Sequence, residues 1–264
     1  MTQPSTHTHT IFLPAGSVDV SVATQGQGRP ILILHGGAGP ASVLGLAQAL
    51  ATHARAIVPS HPGFEGSPRP DWFASVGDLA MAYLALLDEL DLSEVIVVGN
   101  SIGGWIAAEM AVRGSPRLAG VVLVNAAGID AGAGRIVDVS HMSAAERMAL
   151  AFHAPQRFAG AAPTPARLAL MATNQATLHV YGGAPYMHDP ALRARLAGIG
   201  IPALVAWGES DRIVDLDYGR RYAANIPGAE FAVIESAGHL PQIERLDELT
   251  RLIEAFAADL GAQR

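Results

Sequence analysis

The most informative run of the chain is Val95-Ile-Val-Val-Gly-Asn-Ser-Ile-Gly-Gly104. Its first four residues are β-branched and apolar, which predicts a buried strand, and the alanine-rich sequence after residue 104 predicts a helix. Between them lies the pattern G-x-S-x-G, which in a strand–turn–helix setting is the signature of a nucleophile elbow. Side chains at positions 99 and 103 would crowd neighbouring elements, and the sharp turn exposes the Ser101 hydroxyl at a helix N-terminus. We therefore predict that Ser101 is a nucleophile.

Short apolar runs rich in valine and isoleucine recur on both sides of this turn. Runs of this length, alternating with helical patterns, are typical of parallel strands that are buried on both faces. Six runs fit the description: residues 31–34, 56–59, 95–98, 120–125, 203–207 and 230–234. Apolar residues at steps of three and four predict helices over 76–90 and 246–260. The sequence therefore predicts an α/β fold.

The N-terminal residues have a different pattern. Residues 11–13 and 18–23 flank Pro14-Ala-Gly16 and predict an antiparallel hairpin at the sheet edge. The polar residues 1–10 before it predict a disordered tail rather than a metal site at His7 and His9. These residues lack the basic start and apolar stretch of a signal peptide, so we expect a cytoplasmic protein.

About 75 residues separate the runs at 120–125 and 203–207 without a convincing strand, more than a parallel crossover needs. Candidate short helices lie at 143–152, 165–173 and 190–196. We therefore expect a helical insertion above the sheet.

Composition excludes several classes of protein. The 264 residues include no cysteine, which excludes disulfides, thiolate zinc sites, iron–sulfur clusters and cysteine nucleophiles. The 17 Lys+Arg and 24 Asp+Glu give a formal charge of −7 without a dense basic cluster, so nucleic acid is not an expected partner. Glycine and proline interrupt the uncharged run 30–54, which favours a strand, a turn and a helix over a membrane span. We expect a small-molecule substrate and a monomer or homodimer.

A nucleophilic serine needs a base and an acid that orients the base, at the ends of later strands. His239 follows the run 230–234, and Asp211 follows the run 203–207. The chain order Ser101, Asp211, His239 is the order expected for this type of elbow. The competing acids are Asp130, Glu209 and Asp215.

Acyl chemistry also needs two backbone donors for the oxyanion. Glycines follow the run 31–34, and we predict the N–H groups of Gly37 and Ile102 as the donors, or Gly36 or Ala38 if the turn differs by one residue. No metal ligand is predicted. The candidates for lining the substrate pocket are Gly36, Phe64, Trp105, Tyr186 and Leu240, and the insertion offers further ones at Tyr181, Met187 and His188.

Five segments resemble a known family, in order over nearly the whole chain. They are His35-Gly-Gly, His61-Pro-Gly-Phe-Glu-Gly-Ser67, Gly99-Asn-Ser-Ile-Gly-Gly104, Trp207-Gly-Glu-Ser-Asp211 and Gly238-His239. Together they resemble the α/β-hydrolase superfamily. The resemblance implies a mostly parallel eight-stranded sheet with helices on both faces and no cofactor. It also implies a core over residues 1–128 and 199–264 and a helical cap over 129–198, inserted after strand 6.

The resemblance narrows the activity. Serine at position 101 disfavours haloalkane dehalogenases and epoxide hydrolases, which carry aspartate there. We predict a serine hydrolase that cleaves a small carboxylic ester through an acyl-enzyme.

Three other activities stay open. The motifs also resemble meta-cleavage-product hydrolases, which split carbon–carbon bonds, although those enzymes usually carry tryptophan where Leu240 stands. They also use a cap arginine for the substrate carboxylate, and the candidates here are Arg135, Arg147, Arg157 and Arg167. A slow-turnover ligand receptor and a cofactor-free perhydrolase are the remaining alternatives on the same fold.

Overall fold

The computed structural model describes residues 5–132, 134–158 and 164–262. Within these residues eight strands form one sheet, in the spatial order β1-β2-β4-β3-β5-β6-β7-β8. The strands are β1 (Ser5–Leu13), β2 (Gly16–Gly26), β3 (Pro30–Leu34), β4 (Arg55–Pro59), β5 (Val95–Asn100), β6 (Leu118–Val124), β7 (Ala203–Gly208) and β8 (Glu230–Ile234). Strands β3 to β8 pair in parallel, and β2 is antiparallel to both of its neighbours. The predicted α/β fold with a mostly parallel sheet is confirmed.

Nine α-helices lie in the described part of the chain. They are α1 (Leu44–Leu50), α2 (Val76–Glu89), α3 (Ile102–Arg113), α4 (Ala144–Ala151), α5 (Pro165–Gly182), α6 (Leu192–Arg195), α7 (Leu216–Ala224), α8 (Pro241–Glu244) and α9 (Leu246–Ala262). Single 3₁₀ turns occupy Pro40–Val43, Phe64–Gly66, Pro155–Arg157 and Leu196–Gly198. A helix long and apolar enough to cross a membrane is not found in these described ranges.

Helices cover both faces of the sheet, because consecutive residues of its central strands are apolar and each face must be buried. Leu32 and Leu34 belong to a core cluster that includes the buried residues of α2, α3 and α7. Ile31 and Ile33 point to the opposite face and pack with α1 and α9. Successive side chains of a strand alternate between faces, so a strand buried on both sides must be apolar throughout.

The N-terminal hairpin is longer than predicted, and the prediction of a disordered tail is wrong for residues 5–10. These residues form the first part of β1 and pair with β2 from Ser5 opposite Thr24 onward. Main-chain pairing orders this polar segment, and Thr10 Oγ1 also donates to Asp19 Oδ1 over 2.6 Å. The first four residues of the predicted tail lie outside the described residues.

The segment between β6 and β7 carries α4, α5 and α6 and adds no strand to the sheet in its described residues. Helix α4 agrees with the predicted helix at 143–152, α6 lies within 190–196, and α5 continues nine residues beyond its predicted end at 173. The segment contacts loops at the carboxyl ends of the strands: Leu178 of α5 lies against Gly37, and Ala151 of α4 lies against Gly238.

Candidate active site

Ser101 occupies the turn between β5 and α3 in a strained backbone conformation. Its φ of 57° and ψ of −120° lie outside the regions that side chains favour, and such residues cost about 1–3 kcal/mol. The turn is held by the Ser101 N–H, which donates to Val124 O over 3.0 Å, and by the Ser101 carbonyl, which accepts from Ala127 N over 3.1 Å. The serine is 9% exposed, at the first turn of a twelve-residue helix.

The two glycines of the motif are required by close backbone approaches. A Cβ atom at Gly99 would lie 2.1 Å from Gly103 O, and one at Gly103 would lie 2.2 Å from Leu34 O. Neither carbonyl can move without displacing a strand or a helix. The crowding that the sequence predicts at these two positions is therefore present, and it brings the start of α3 against the end of β3.

Asp211 and His239 follow β7 and β8, and a hydrogen bond joins them. His239 Nδ1 is 2.7 Å from Asp211 Oδ2, and the Asp211 side chain is completely buried. The carboxylate can only accept, so Nδ1 carries the proton and Nε2 is left on the opposite edge of the ring. The loop of His239 is tied down by its N–H, which donates to Ala151 O over 2.7 Å, and by its carbonyl, which accepts from Asn100 Nδ2 over 3.1 Å.

The three competing carboxylates have other partners. Asp130 forms ion pairs with Arg193 and Arg221 at 2.7 and 2.5 Å. Glu209 Oε2 accepts from Ser236 N, and Asp215 caps the start of α7. Asp211 is thus the acid that the structure brings to His239.

The candidate oxyanion donors lie on either side of Ser101. Ile102 is the first residue of α3, so its N–H has no partner within the helix. Gly37 lines the same cavity as Ser101. Gly36 is packed directly beneath the serine, because a Cβ atom there would lie 3.1 Å from Ser101 Cβ.

A buried network fixes the loop that contains Gly36 and Gly37. The His61 N–H donates to His35 Nε2 over 3.1 Å, so His35 carries its proton on Nδ1 and donates it to Gly36 O over 2.8 Å. His61 Nε2 donates to His35 O over 2.9 Å, and Tyr83 donates its hydroxyl proton to His61 Nδ1 over 2.5 Å. Each ring nitrogen of the two histidines therefore has a partner while both rings are neutral.

A cavity of about 380 Å³ lies above Ser101 and His239. Its wall is mostly apolar and comes largely from the segment between β6 and β7, with contributions from the loop of Gly37 and from the loops after β7 and β8. The apolar lining residues are Ile136, Val137, Val139, Met148, Phe152, Met171, Leu178, Met187, Ile213, Val214 and Leu240.

The predicted pocket residues divide into two groups. Tyr186 and Leu240 line the cavity, as does Met187. Burial raises the pKa of Tyr186, so its hydroxyl is a neutral donor. It accepts from Val139 N over 3.3 Å and keeps its own proton available.

Phe64 and Trp105 lie away from the cavity. Phe64 is buried edge-on against the His35 and His61 rings, so it belongs to the core beside the loop of Gly36 and Gly37. Trp105 is one turn beyond Ser101 in α3, packs against Gly128 and lines a separate pocket together with His188. Tyr181 is buried and donates to Pro62 O over 2.8 Å.

Two of the four candidate arginines reach the cavity. Arg147 of α4 and Arg167 of α5 line it, whereas Arg157 lines another pocket and Arg135 is exposed in a loop. Arg147 also donates to Met142 O, and Arg167 lies 3.7 Å from Glu65 Oε2. None of the described residues that line the cavity is an aspartate or a glutamate. A group of three metal-ligating side chains is not found in the described part of the chain either.

Helix α5 is attached to the loop after β4 by a polar stripe that the sequence did not reveal. Asn174 exchanges two 2.8 Å hydrogen bonds with Glu65, one to its backbone N–H and one to its carboxylate. One turn later Thr177 Oγ1 donates to Gly63 O over 2.9 Å, and Tyr181 follows with its bond to Pro62. Residues at steps of three and four share one helix face, so these bonds hold α5 against the loop after β4 at the edge of the cavity, which Asn174 itself lines.

The comparison with protein families decides the membership of the chain. A model described as the alpha/beta hydrolase family matches residues 31–252. The chain belongs to the alpha/beta hydrolase family. The matched residues include nearly all of β3, the whole of β4 to β8, and the loops that carry Ser101, Asp211 and His239.

Two curated proteins and one solved structure illustrate the similarity. The chain is 30% identical to the dihydrolipoyllysine-residue acetyltransferase component of the acetoin cleaving system of Pseudomonas putida, over 87% of this chain and 63% of that protein. It therefore spans less than two thirds of that relative. It is 27% identical to the 2-hydroxy-6-oxo-6-phenylhexa-2,4-dienoate hydrolase of Burkholderia cepacia, over 89% of each chain. The structure of a bromoperoxidase from Bacillus anthracis aligns with a TM-score of 0.78 and 21% identity, over 95% of this chain and 99% of that one. At this identity, the structural likeness shows the fold alone.

Proposed function

We propose that this chain is a serine hydrolase that cleaves a small carboxylic ester through an acyl-enzyme at Ser101. The observation that carries the proposal is the 2.7 Å bond between His239 Nδ1 and Asp211 Oδ2, with His239 and Ser101 lining one cavity. A serine hydroxyl is a weak nucleophile until a neighbouring base removes its proton, and an imidazole oriented by a carboxylate supplies that base.

In the proposed mechanism, Ser101 Oγ attacks the ester carbonyl while His239 Nε2 takes the hydroxyl proton. His239 then gives this proton to the leaving alcohol, and the acyl group stays on Ser101. Water repeats the sequence with His239 as the base and releases the acid. Asp211 holds the tautomer that keeps Nε2 available and stabilises the imidazolium. The N–H groups of Ile102 and Gly37 would bind the oxyanion, which develops beside the N-terminus of α3.

The helical segment over residues 129–198 is proposed to act as a cap. It supplies most of the apolar wall, so a substrate that enters is surrounded by protein and bulk water is displaced. A volume of about 380 Å³ is suited to a small acyl group rather than to a long chain.

A second candidate reaction is hydrolysis of a carbon–carbon bond in a ring-opened aromatic acid. Two observations favour it: the relative from Burkholderia cepacia is a dienoate hydrolase, and two arginines line the cavity. The formal charge of the chain is −7, yet the described side chains that line the cavity include Arg147 and Arg167 and no carboxylate, although Arg167 shares its charge with Glu65. Such a wall favours a substrate that carries a carboxylate.

The test of the first proposal is a burst-phase assay with p-nitrophenyl acetate and butyrate. Ser101→Ala should lower kcat by about 10⁶ and Asp211→Asn by about 10⁴, by analogy with other triads. Ser115→Ala is the matched control, because Ser115 accepts from Arg117 N outside the cavity. A phosphonate probe should add its mass to the wild type and to Ser115→Ala, but not to Ser101→Ala. An unlabelled wild type would overturn the assignment of the nucleophile.

The same proteins distinguish the two reactions. If the kcat/KM for a 2-hydroxy-6-oxo-dienoate exceeds that for both esters, carbon–carbon hydrolysis replaces ester hydrolysis as the proposed activity. In that case Arg147→Gln or Arg167→Gln should raise KM for the dienoate at least about tenfold and leave the neutral esters unaffected. Arg157→Gln is the control, since Arg157 lies outside this cavity. Labelling without turnover of either substrate would favour a ligand receptor.

A further inference from the structure

Asn125 follows β6 and is completely buried beside Asp211. Its φ of 46° lies in the left-handed region, which asparagine adopts more readily than most residues other than glycine. Its N–H donates to Ala206 O over 3.1 Å, which attaches the residue to β7. The backbone of Asn125 is therefore held against β7, beside Asp211.

The amide of Asn125 bonds to the same carboxylate oxygen as His239. Asn125 Nδ2 donates to Asp211 Oδ2 over 2.6 Å, and Asn125 Oδ1 accepts from Gly208 N over 3.2 Å. A backbone N–H can only donate, so the amide oxygen must face Gly208 and the NH₂ group must face Asp211. If the amide oxygen and nitrogen were exchanged, neither the bond to Asp211 nor the bond to Gly208 could form.

Four donors surround the buried carboxylate of Asp211. Its Oδ1 accepts from Ile213 N and Val214 N at 2.8 and 3.0 Å, and its Oδ2 accepts from Asn125 and His239. A carboxylate has about four acceptor positions, so Asp211 is fully hydrogen-bonded without a lysine or arginine. Of the side chains in the described residues, Asn125 and His239 are the two that bond to it.

We propose that Asn125 is a positioning residue that sets the basicity of His239 through Asp211. The inference rests on the proposed function. Donation from Asn125 withdraws charge from the oxygen that faces the imidazole, so Asp211 stabilises the imidazolium less than a carboxylate without this donor would. The same bond fixes the plane of the carboxylate, and with it the direction of His239 Nε2.

Besides Asp211, other charged and titratable groups lie on the elements packed around His239, and none of them hydrogen-bonds to Asn125. Helix α4 carries Arg147 and is followed by His153, and Arg212 donates to Phe152 O at the end of the same helix. Helix α5 carries Arg167, and α8 carries Glu244. A change in the titration of His239 within one series of variants therefore reports on Asn125.

Two variants test the proposal. Asn125→Gly keeps the left-handed backbone and removes the donor. Asn125→Asp keeps the shape and also keeps a donor, because two buried carboxyl groups this close share one proton and the protonated one donates to the other. The acid limb of the kcat/KM profile should move to higher pH by about half a unit in Asn125→Gly and should move less in Asn125→Asp. Asn225→Asp is the matched control, because Asn225 donates to Arg221 O at the end of α7. It should leave the acid limb in place.

NMR titration of the His239 ring should rank the variants in the same order as the acid limb does. This measurement needs no catalytic turnover. This readout separates the two proposals: a wild type that the phosphonate does not label refutes the proposed function, while the NMR series still decides the role of Asn125. A lower melting temperature with an unmoved acid limb and unmoved His239 titration would show that Asn125 serves folding only. If Asn125→Asp fails to fold, Asn125→Gly alone tests the proposal. An acid limb and a His239 titration midpoint that stay in place in that variant would refute it.

Discussion

The rings of His35 and His61 stack with their centroids 3.7 Å apart and their planes 27° from parallel. Two imidazoles at this distance can share a buried site only while neither carries a charge. Burial lowers the pKa of His35 from 6.5 to about 4, against a smaller opposing effect of its bond to Gly36 O. Burial and then the charge of His35 lower the pKa of His61 well below its usual value. The loop with the candidate oxyanion donor Gly37 thus rests on a neutral pair.

This pair predicts that the protein loses stability as the pH falls. The folded pKa of His35 lies below the unfolded value, so between pH 6.5 and 4 the unfolded chain binds more protons and the free energy of unfolding decreases. The expected contribution of His35 is up to about 1.4 kcal/mol per pH unit in this window. Urea denaturation at pH 7, 6 and 5 measures the slope. His35→Gln should flatten it, and an unchanged slope in that variant would contradict the prediction.

Tyr83→Phe should destabilise the protein by about 1–3 kcal/mol. The substitution removes the hydroxyl that donates to His61 Nδ1 and leaves a buried ring nitrogen without a partner. Tyr222→Phe is a matched control: Tyr222 is equally buried, and its hydroxyl has no hydrogen-bond partner among the described residues. Urea midpoints of both variants give the comparison. Equal losses in the two proteins would show that the Tyr83 bond contributes nothing specific.

Gly103→Ala should cost at least about 3 kcal/mol, because the new Cβ would lie 2.2 Å from the backbone oxygen of Leu34 and a strand must shift. Gly45→Ala is the control, because it adds the same methyl group at a position that has space for it. Gly45 lies in α1 and a Cβ there would meet its nearest atom, in Leu246, at 3.9 Å. That variant should gain about 0.5–1 kcal/mol from helix propensity. Thermal unfolding of the pair checks both signs, and a tolerated Gly103→Ala would refute the crowding argument.

Thr177→Val should raise KM about fivefold with little change in kcat. It removes the hydrogen bond of about 1 kcal/mol to Gly63 O that helps hold α5, and α5 carries Met171 and Leu178 of the cavity wall. Thr173→Val is the control in the same helix, since the Thr173 hydroxyl donates to Ala169 O one turn back in α5 itself. Steady-state kinetics on the preferred substrate measure the difference. Identical KM values for the two variants would mean that the stripe does not position the wall.

The parallel strands and the chain order of Ser101, Asp211 and His239 were predictable because they depend on local patterns. β-Branched runs identify buried strands, and G-x-S-x-G identifies its own turn. The second half of α5 was not predictable in this way. Its threonine and valine residues favour helix only weakly, and the bonds of Asn174, Thr177 and Tyr181 to another loop stabilise it.

Long-range contacts also explain the other differences. The sequence could not show which of the four candidate arginines line the cavity, because that depends on which helix face meets it. The structure brings Arg147 and Arg167 there. Asn125 looks like an ordinary residue after a strand until β7 brings Asp211 beside it. The strand over residues 5–10 depends on main-chain pairing with β2, and a polar sequence gives no sign of such pairing.

The long segment between β6 and β7 affects the order in which the molecule assembles. Ser101 follows β5, whereas Asp211 and His239 arrive only when β7 has paired with β6 and β8 has paired with β7. Contacts that close long stretches of chain form slowly, because the entropy of the intervening residues is lost before the contact is gained. In a refolding experiment, burial of the residues around β3 and β5 should therefore precede the return of catalytic turnover, which makes turnover a reporter of the last strands to join.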